Sequence, residues 1–143
     1  MPRVLLDVEA FLGTLQSPLD VASDDALRRL LAATALLLAY FFGWRDDTCG
    51  HLSKLDLFLE GQVLHFSEHF SKGAFSRARH LFRRLTMELG SSPPFARAFS
   101  ILCAPEVWNR LPNTIFAFVS SGKRKLEACL QLVLREIVQT GSV

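Results

Sequence analysis

From Leu30 to Trp44 the chain reads LLAATALLLAYFFGW, without one charged side chain. On a helical wheel this segment is apolar on nearly every face. Such a helix persists in water only when other elements surround it. It is shorter than the roughly 20 residues that span a bilayer, so its expected place is the centre of a globular domain. Ser23 is a candidate N-cap for it, and Asp24 and Asp25 suit the positive first turn. The helix should run to about Phe42 and give way to the polar loop GWRDDTCGH. The whole chain, 143 residues, fits a single domain over 1–143 with a real core. Half of its residues are hydrophobic and 12 are Phe, which excludes disorder as the main state.

Helical periodicity dominates the rest of the reading. Val4, Leu5, Val8, Phe11, Leu12 and Leu15 form one apolar face of a first helix, with Pro2 near its start. Ser53 is expected to cap a short helix through about Glu60. Gly61 weakens it, and QVLHFSEHF follows as a second short turn or helix. After Lys72 and Gly73, the residues Phe75, Ala78, Phe82, Leu85 and Leu89 predict an amphipathic helix that Gly90 terminates. Ser92 then caps a helix with Pro93 at its first position. Pro105 ends or restarts it, and KRKLEACLQLVLREIV closes the chain as an amphipathic helix. No stretch is read as a strand. The expected fold is an all-α, single-domain bundle of about seven or eight helices around a buried central one.

Composition narrows the chemistry. A net charge of +2 gives no general affinity for nucleic acid or acidic membrane. The three cysteines, Cys49, Cys103 and Cys129, fit neither a disulfide framework nor a zinc ribbon, and a reducing compartment is the default for them. No signal peptide or C-terminal anchor is visible, so a cytoplasmic protein without stable membrane insertion is expected. His65 and His69 are spaced i, i+4, as in a helical metal pair, but Glu68 does not complete H-E-x-x-H. They read as partly exposed helix histidines. No phosphate loop, paired-carboxylate motif or G-x-S-x-G occurs. The expectation is a protein with no catalytic residues, metal or cofactor. RARHLFRR, Arg77 to Arg84, is the one basic cluster, and it reads as a solvated helix face or the rim of a binding site.

Arg97, in SSPPFARAFSIL, is the sharper case. A guanidinium near a helix start faces the unfavourable end of the dipole and is costly to bury alone. Either Phe95 and Phe99 are buried while Arg97 points to solvent, or Arg97 waits at the floor of an apolar cleft for a partner's acidic group.

The order of these signals resembles the B-cell-lymphoma-two (Bcl) family of apoptosis regulators over roughly residues 3 to 104. MELGSSPPFAR, Met87 to Arg97, resembles that family's first homology motif. Glu88 and Leu89 match its E-L, and Phe95, Ala96 and Arg97 stand where its W, G and R would be. VLLDVEAFLGTL resembles its N-terminal homology helix, and ALRRLLAATALLLAYFF lies where its own death helix sits. Pro94 replaces the motif's Asn, and its second motif, with Gly-Gly-Trp, is not found.

The resemblance implies a compact, diverged viral pro-survival member of the host-cell cytoplasm, recruited to mitochondria through its partners. Helices two to five would form an apolar groove for the death-motif (BH-three) helix of a pro-apoptotic protein. Arg97 would pair with that helix's aspartate. Phe95, Ala96, Leu85 and Leu89 would line the groove, with Phe66 and Phe70 on the third helix. An empty groove would be covered by a homodimer or by the third helix. An L-x-x-x-G-D death signature is missing from the second helix, which implies an inhibitor rather than a killer. The alternative is an all-α interaction or scaffold domain without such a groove.

Overall fold

The computed structural model describes residues 3–71, 80–120 and 125–141. Among the described residues, seven helices follow in the order α1 (Arg3–Thr14), α2 (Asp24–Phe42), α3 (Asp46–Gly50), α4 (Pro93–Leu102), α5 (Pro105–Trp108), α6 (Ala117–Ser120) and α7 (Leu126–Gly141). Between α3 and α4 lies an antiparallel sheet of three strands, β1 (Phe58–Glu60), β2 (Val63–Ser71) and β3 (His80–Glu88). The fold is therefore mixed α and β, and the all-α, Bcl-like bundle expected from the sequence is corrected.

The apolar run becomes the core, as its composition demands. Leu27, Leu30, Leu31, Ala32, Ala33, Leu37 and Leu38 of α2 are all essentially inaccessible to solvent. α1, α4, α6 and α7 pack around them. Thr34, also fully buried, is satisfied by donating its hydroxyl to the Leu30 carbonyl at 2.7 Å. Ser23 caps the helix start by accepting from the Ala26 amide at 3.1 Å. At the other end Gly43 takes the left-handed conformation, φ 68°, and its amide closes on the Ala39 carbonyl. That conformation suits glycine because no Cβ opposes it.

The sheet stands where two helices were expected. β2 and β3 pair in unbroken register from Val63↔Glu88 to Ser71↔His80, and β1 joins β2 through the two-residue turn Gly61–Gln62. Gly61 has φ 62°, the positive value that tight hairpin turns require. It is a turn former here, not a weakened helix position. Ser53 caps only a single 3-10 turn, Lys54–Asp56. Alternation explains the sheet. Leu64, Phe66 and Glu68 face inward and pair with Met87, Leu85 and Arg83, while Arg84, Thr86 and Glu88 are exposed. In a helix Leu85 and Met87 would lie on different faces; in a strand they share one.

His65 and His69 consequently share the face of β2 opposite Leu64 and Phe66, with the buried Ser67 between them, and not a helix turn. His65 stacks flat on Phe58, with ring centroids 4.5 Å apart. His69 Nε2 meets Asp56 Oδ2 at 2.8 Å. Phe75, Ala78 and the other residues of 72–79 lie outside the described residues.

Candidate functional site

Two regions are candidates for a site: the neighbourhood of Arg97, singled out by its sequence, and a trough along α7. Pro93 starts α4 as expected, and Ser92 occupies the cap position, although its side chain makes no capping bond. Phe95 is fully buried. Its ring meets Phe41 at 5.2 Å and Phe42 at 6.0 Å edge-on, and stacks on Phe99 at 6.0 Å. Phe66 is also buried and packs edge-on against Phe42 and Trp44. Phe42 thus bridges Phe66 and Phe95, and both belong to the core.

Phe95 and Phe99 are buried and Arg97 is exposed, as the first alternative expects, but Arg97 also has a task that neither alternative anticipated. Its guanidinium donates to the Leu15 carbonyl at 2.9 Å, tying α4 to the end of the α1 region. Arg110 makes a parallel tie: it donates to the Val21 carbonyl at 2.6 Å and pairs with Asp24 at 3.1 Å. The connector between α1 and α2 is held by two arginines from distant chain positions. Carbonyls at a helix end lack intrahelical donors, so a cation there is well placed.

The other residues of the expected groove do not assemble into one. Leu85 sits on the inner face of β3, Leu89 is buried in the turn after it, and Ala96 is half-buried on α4. Phe70 falls on β2, and its side chain lies outside the described residues. Strands stand in place of helices three and four, so among the described residues the walls of the expected helical groove are not helices.

The trough lies on another side of the body. Three adjoining depressions share residues along α7. The middle one, of about 440 Å³, has Ala35, Leu36, Ala39, Leu130 and Leu134 as apolar lining beside Trp44 and Cys49. Toward the chain end it continues through Leu36, Gln131 and Leu134 into a depression of about 470 Å³ that reaches Val4, Arg135 and Gln139. In the other direction Asp46 and Glu127 lead to one of about 520 Å³ beside Asp47, His51 and Lys125. The α2 lining uses small side chains one turn apart, Ala35 and Ala39, which leaves room for a close approach. α7 supplies Leu130 and Leu134, four residues apart on one face.

The electrostatics of the trough are uneven. Asp46, Asp47 and Glu127 gather at one end, with Arg45 and Lys125 beside them, and Arg135 marks the other. Burial and, secondarily, the Asp46 carboxylate push the Cys49 thiol up to about 12. Burial pushes Cys103 up to about 11. Both are therefore thiols at neutral pH and weak nucleophiles. Among the described residues, no group of three or more His, Cys, Asp or Glu could hold a metal ion, and no helix is long and apolar enough to cross a membrane.

Comparison with known proteins finds no matching family model, no matching curated protein and no matching solved structure.

Proposed function

We propose that the chain acts by binding protein, and that the trough along α7 receives an amphipathic helix of a partner. The observation that carries this reading is the set of apolar side chains Ala39, Leu130, Leu36 and Leu134 shared across two adjoining depressions, with Gln131 among them, Arg45, Asp46 and Glu127 toward one end and Arg135 at the other. α7 has 16 residues, about 24 Å at 1.5 Å per residue. A partner helix of three to four turns would lie along it with apolar side chains at i, i+3 or i+4 spacing. Its basic end would sit over Asp46, Asp47 and Glu127 and its acidic end near Arg135.

The pro-survival reading is the second one, and it rests on the resemblance of Met87 to Arg97. A death-motif helix is amphipathic and of suitable length, so the class of ligand carries over while the Arg97 groove does not. The test uses labelled death-motif peptides and an unrelated amphipathic helix, titrated against wild type, Ala39→Trp and Arg97→Ala. Ala39→Trp fills the trough and should abolish binding, with circular dichroism confirming an intact fold. Arg97→Ala should leave binding within about twofold, since Arg97 is engaged elsewhere. Loss in Arg97→Ala with retention in Ala39→Trp would refute the trough. Binding of death-motif peptides alone would support the second reading.

A further inference from the structure

A different surface, independent of the trough, carries a second interaction. We infer that the open edge of β3 pairs with β3 of a second copy of this chain, antiparallel and centred on Thr86, and so joins two sheets in a reversible dimer. The strand order is β1-β2-β3, so among the described residues β3 has a sheet neighbour on one side only. All 9 residues of β3 pair with β2 without a bulge, and the strand is therefore regular. In an antiparallel ladder the main-chain groups of successive residues point to alternate sides. The Leu89 amide donates to the Gln62 carbonyl, which fixes that alternation. Leu85 and Met87 turn their N–H and C=O toward β2, and Arg84, Thr86 and Glu88 turn theirs to the open edge. Among the described residues, no backbone hydrogen bond outside the sheet reaches residues 80–88. The Glu88 carbonyl accepts from the Ser91 hydroxyl at 2.8 Å and keeps its second lone pair.

The charges on the edge choose the occupant. Arg84, Thr86 and Glu88 are exposed on one face of β3, and Leu85 and Met87 are partly buried on the other. Charged side chains guard an edge against strands that leave them unanswered. Arg84 and Glu88 have opposite signs and flank Thr86 symmetrically in the sequence RLTME, so a copy turned about Thr86 answers both. Arg84 meets the second copy's Glu88, Glu88 its Arg84, Thr86 its Thr86, and Leu85 its Met87. Opposite-charge, Thr–Thr and apolar pairs directly across a ladder each stabilise it. The residues that meet on the exposed face are also those whose main-chain groups point to the edge, so each of those pairs exchanges both hydrogen bonds. Other registers lose this match. Centred on Arg84 or Glu88, they set like charges opposite each other, which destabilises a sheet. Centred on Leu85 or Met87, they set Arg84 or Glu88 against Thr86. Arg83 stays outside the contact: Glu68 holds it at 2.6 Å on the core face, and its opposite number would be Leu89, where the strand has ended. The edge thus matches itself about a two-fold axis, the commonest symmetry of dimers. A ladder from Arg84 to Glu88 buries little area, which makes the dimer a reversible one.

The test is sedimentation of the intact protein over a concentration series, with amide hydrogen exchange to map the contact. The wild type should dimerise as concentration rises, and the amides of Arg84, Thr86 and Glu88 should gain protection with it. Those of Leu85 and Met87, already bonded to β2, should be protected at every concentration. Arg84→Glu and Glu88→Arg are surface changes, and each should weaken self-association at least about fivefold, with circular dichroism confirming an intact fold. Mixed together, the two variants should form a heterodimer, because each then meets the opposite charge at both positions. A chain that stays monomeric at every concentration would overturn the proposal. So would a dimer indifferent to both substitutions, a mixture of variants that does not associate, or concentration-dependent protection confined to α7.

Discussion

The helical body and the β-hairpin use hydrogen bonds in opposite ways. In the body several awkward groups are paired: Thr34 turns its hydroxyl back on Leu30, and Arg97 and Arg110 serve the carbonyls of Leu15 and Val21, while Trp44 Nε1 is buried without a hydrogen-bond partner among the described residues. In the hairpin β2 is sandwiched near its start between β1 and β3, while β3, among the described residues, has a strand on one side only. A buried backbone group must find its partner inside the molecule, and a group at an exposed edge can wait for one. The body is therefore the part whose sequence answers to packing, and the hairpin the part whose sequence answers to register.

Substitutions can break or sharpen this contrast. The largest effect should come from Phe95→Ala, which empties a ring site shared with Phe41, Phe42 and Phe99. A loss of about 3–5 kcal/mol is expected, read by urea denaturation, and the whole chain should unfold with it. If only the hairpin loosens, the division drawn above is wrong.

Alkali should act next, and on the body first. The Cys49 thiol is held up to about 12 in the folded chain, against 9.0 for the free group. The folded state thus keeps a proton that the unfolded state gives up. Stability from this source is complete below pH 9 and drains away as pH rises toward 12. Residues 58–88 contain no cysteine. Thermal melts at rising pH should fall for wild type and fall less for Cys49→Ala measured against its own neutral-pH value. An equal decline in both would remove Cys49 as the cause.

Arg110→Ala comes third. It breaks a charged donor's bond to Val21 and should cost about 1.5–3 kcal/mol. Arg97→Ala, more exposed, should cost less, about 1 kcal/mol. In both cases hydrogen exchange should quicken at the start of α2 and the end of α1, with β2 and β3 unchanged.

The most discriminating pair is Gly43→Ala and Gly61→Ala. Each glycine has positive φ with open space where a Cβ would go, so the penalty is backbone strain alone, about 1–2 kcal/mol. Gly43→Ala should lower the global denaturation midpoint. Gly61→Ala should mainly raise exchange in β1 and the start of β2. Equal global effects would mean that hairpin and body fold as one cooperative unit.

The same contrast explains what the sequence revealed. α1, α2, α4 and α7 were legible because burial on one side, or all sides, of a helix leaves a 3.6-residue imprint. The hairpin was not, because its imprint is ambiguous. Leu85 and Leu89 are four apart, a spacing that satisfies both a helix and a strand. Met87, between them, was the discriminating residue. In β2 the alternation of Leu64 and Phe66 with His65 and Ser67 was blurred by apolar Val63 on the outer face and by Glu68 on the inner one. Glu68 can sit there only because Arg83 lies across the ladder, a partner that no local pattern announces. The trough was beyond reach for a similar reason: Ala39 and Leu130 are far apart in sequence, and nothing in either segment names the other. The oddity of Arg97 was visible, but its acceptor lay 82 residues away.

That separation has a consequence for how the chain is made. α1 and its connector are synthesised long before the arginines that hold them. At roughly 5–20 residues per second, the 82 residues from Leu15 to Arg97 take about 4–16 s to appear. Through that interval the N-terminal helix has no clasp from α4 and no α7 to lie against. The nascent chain must carry α1 with its Leu5, Val8 and Leu12 uncovered by those elements, and a chaperone that reads apolar helices would find an opportunity there.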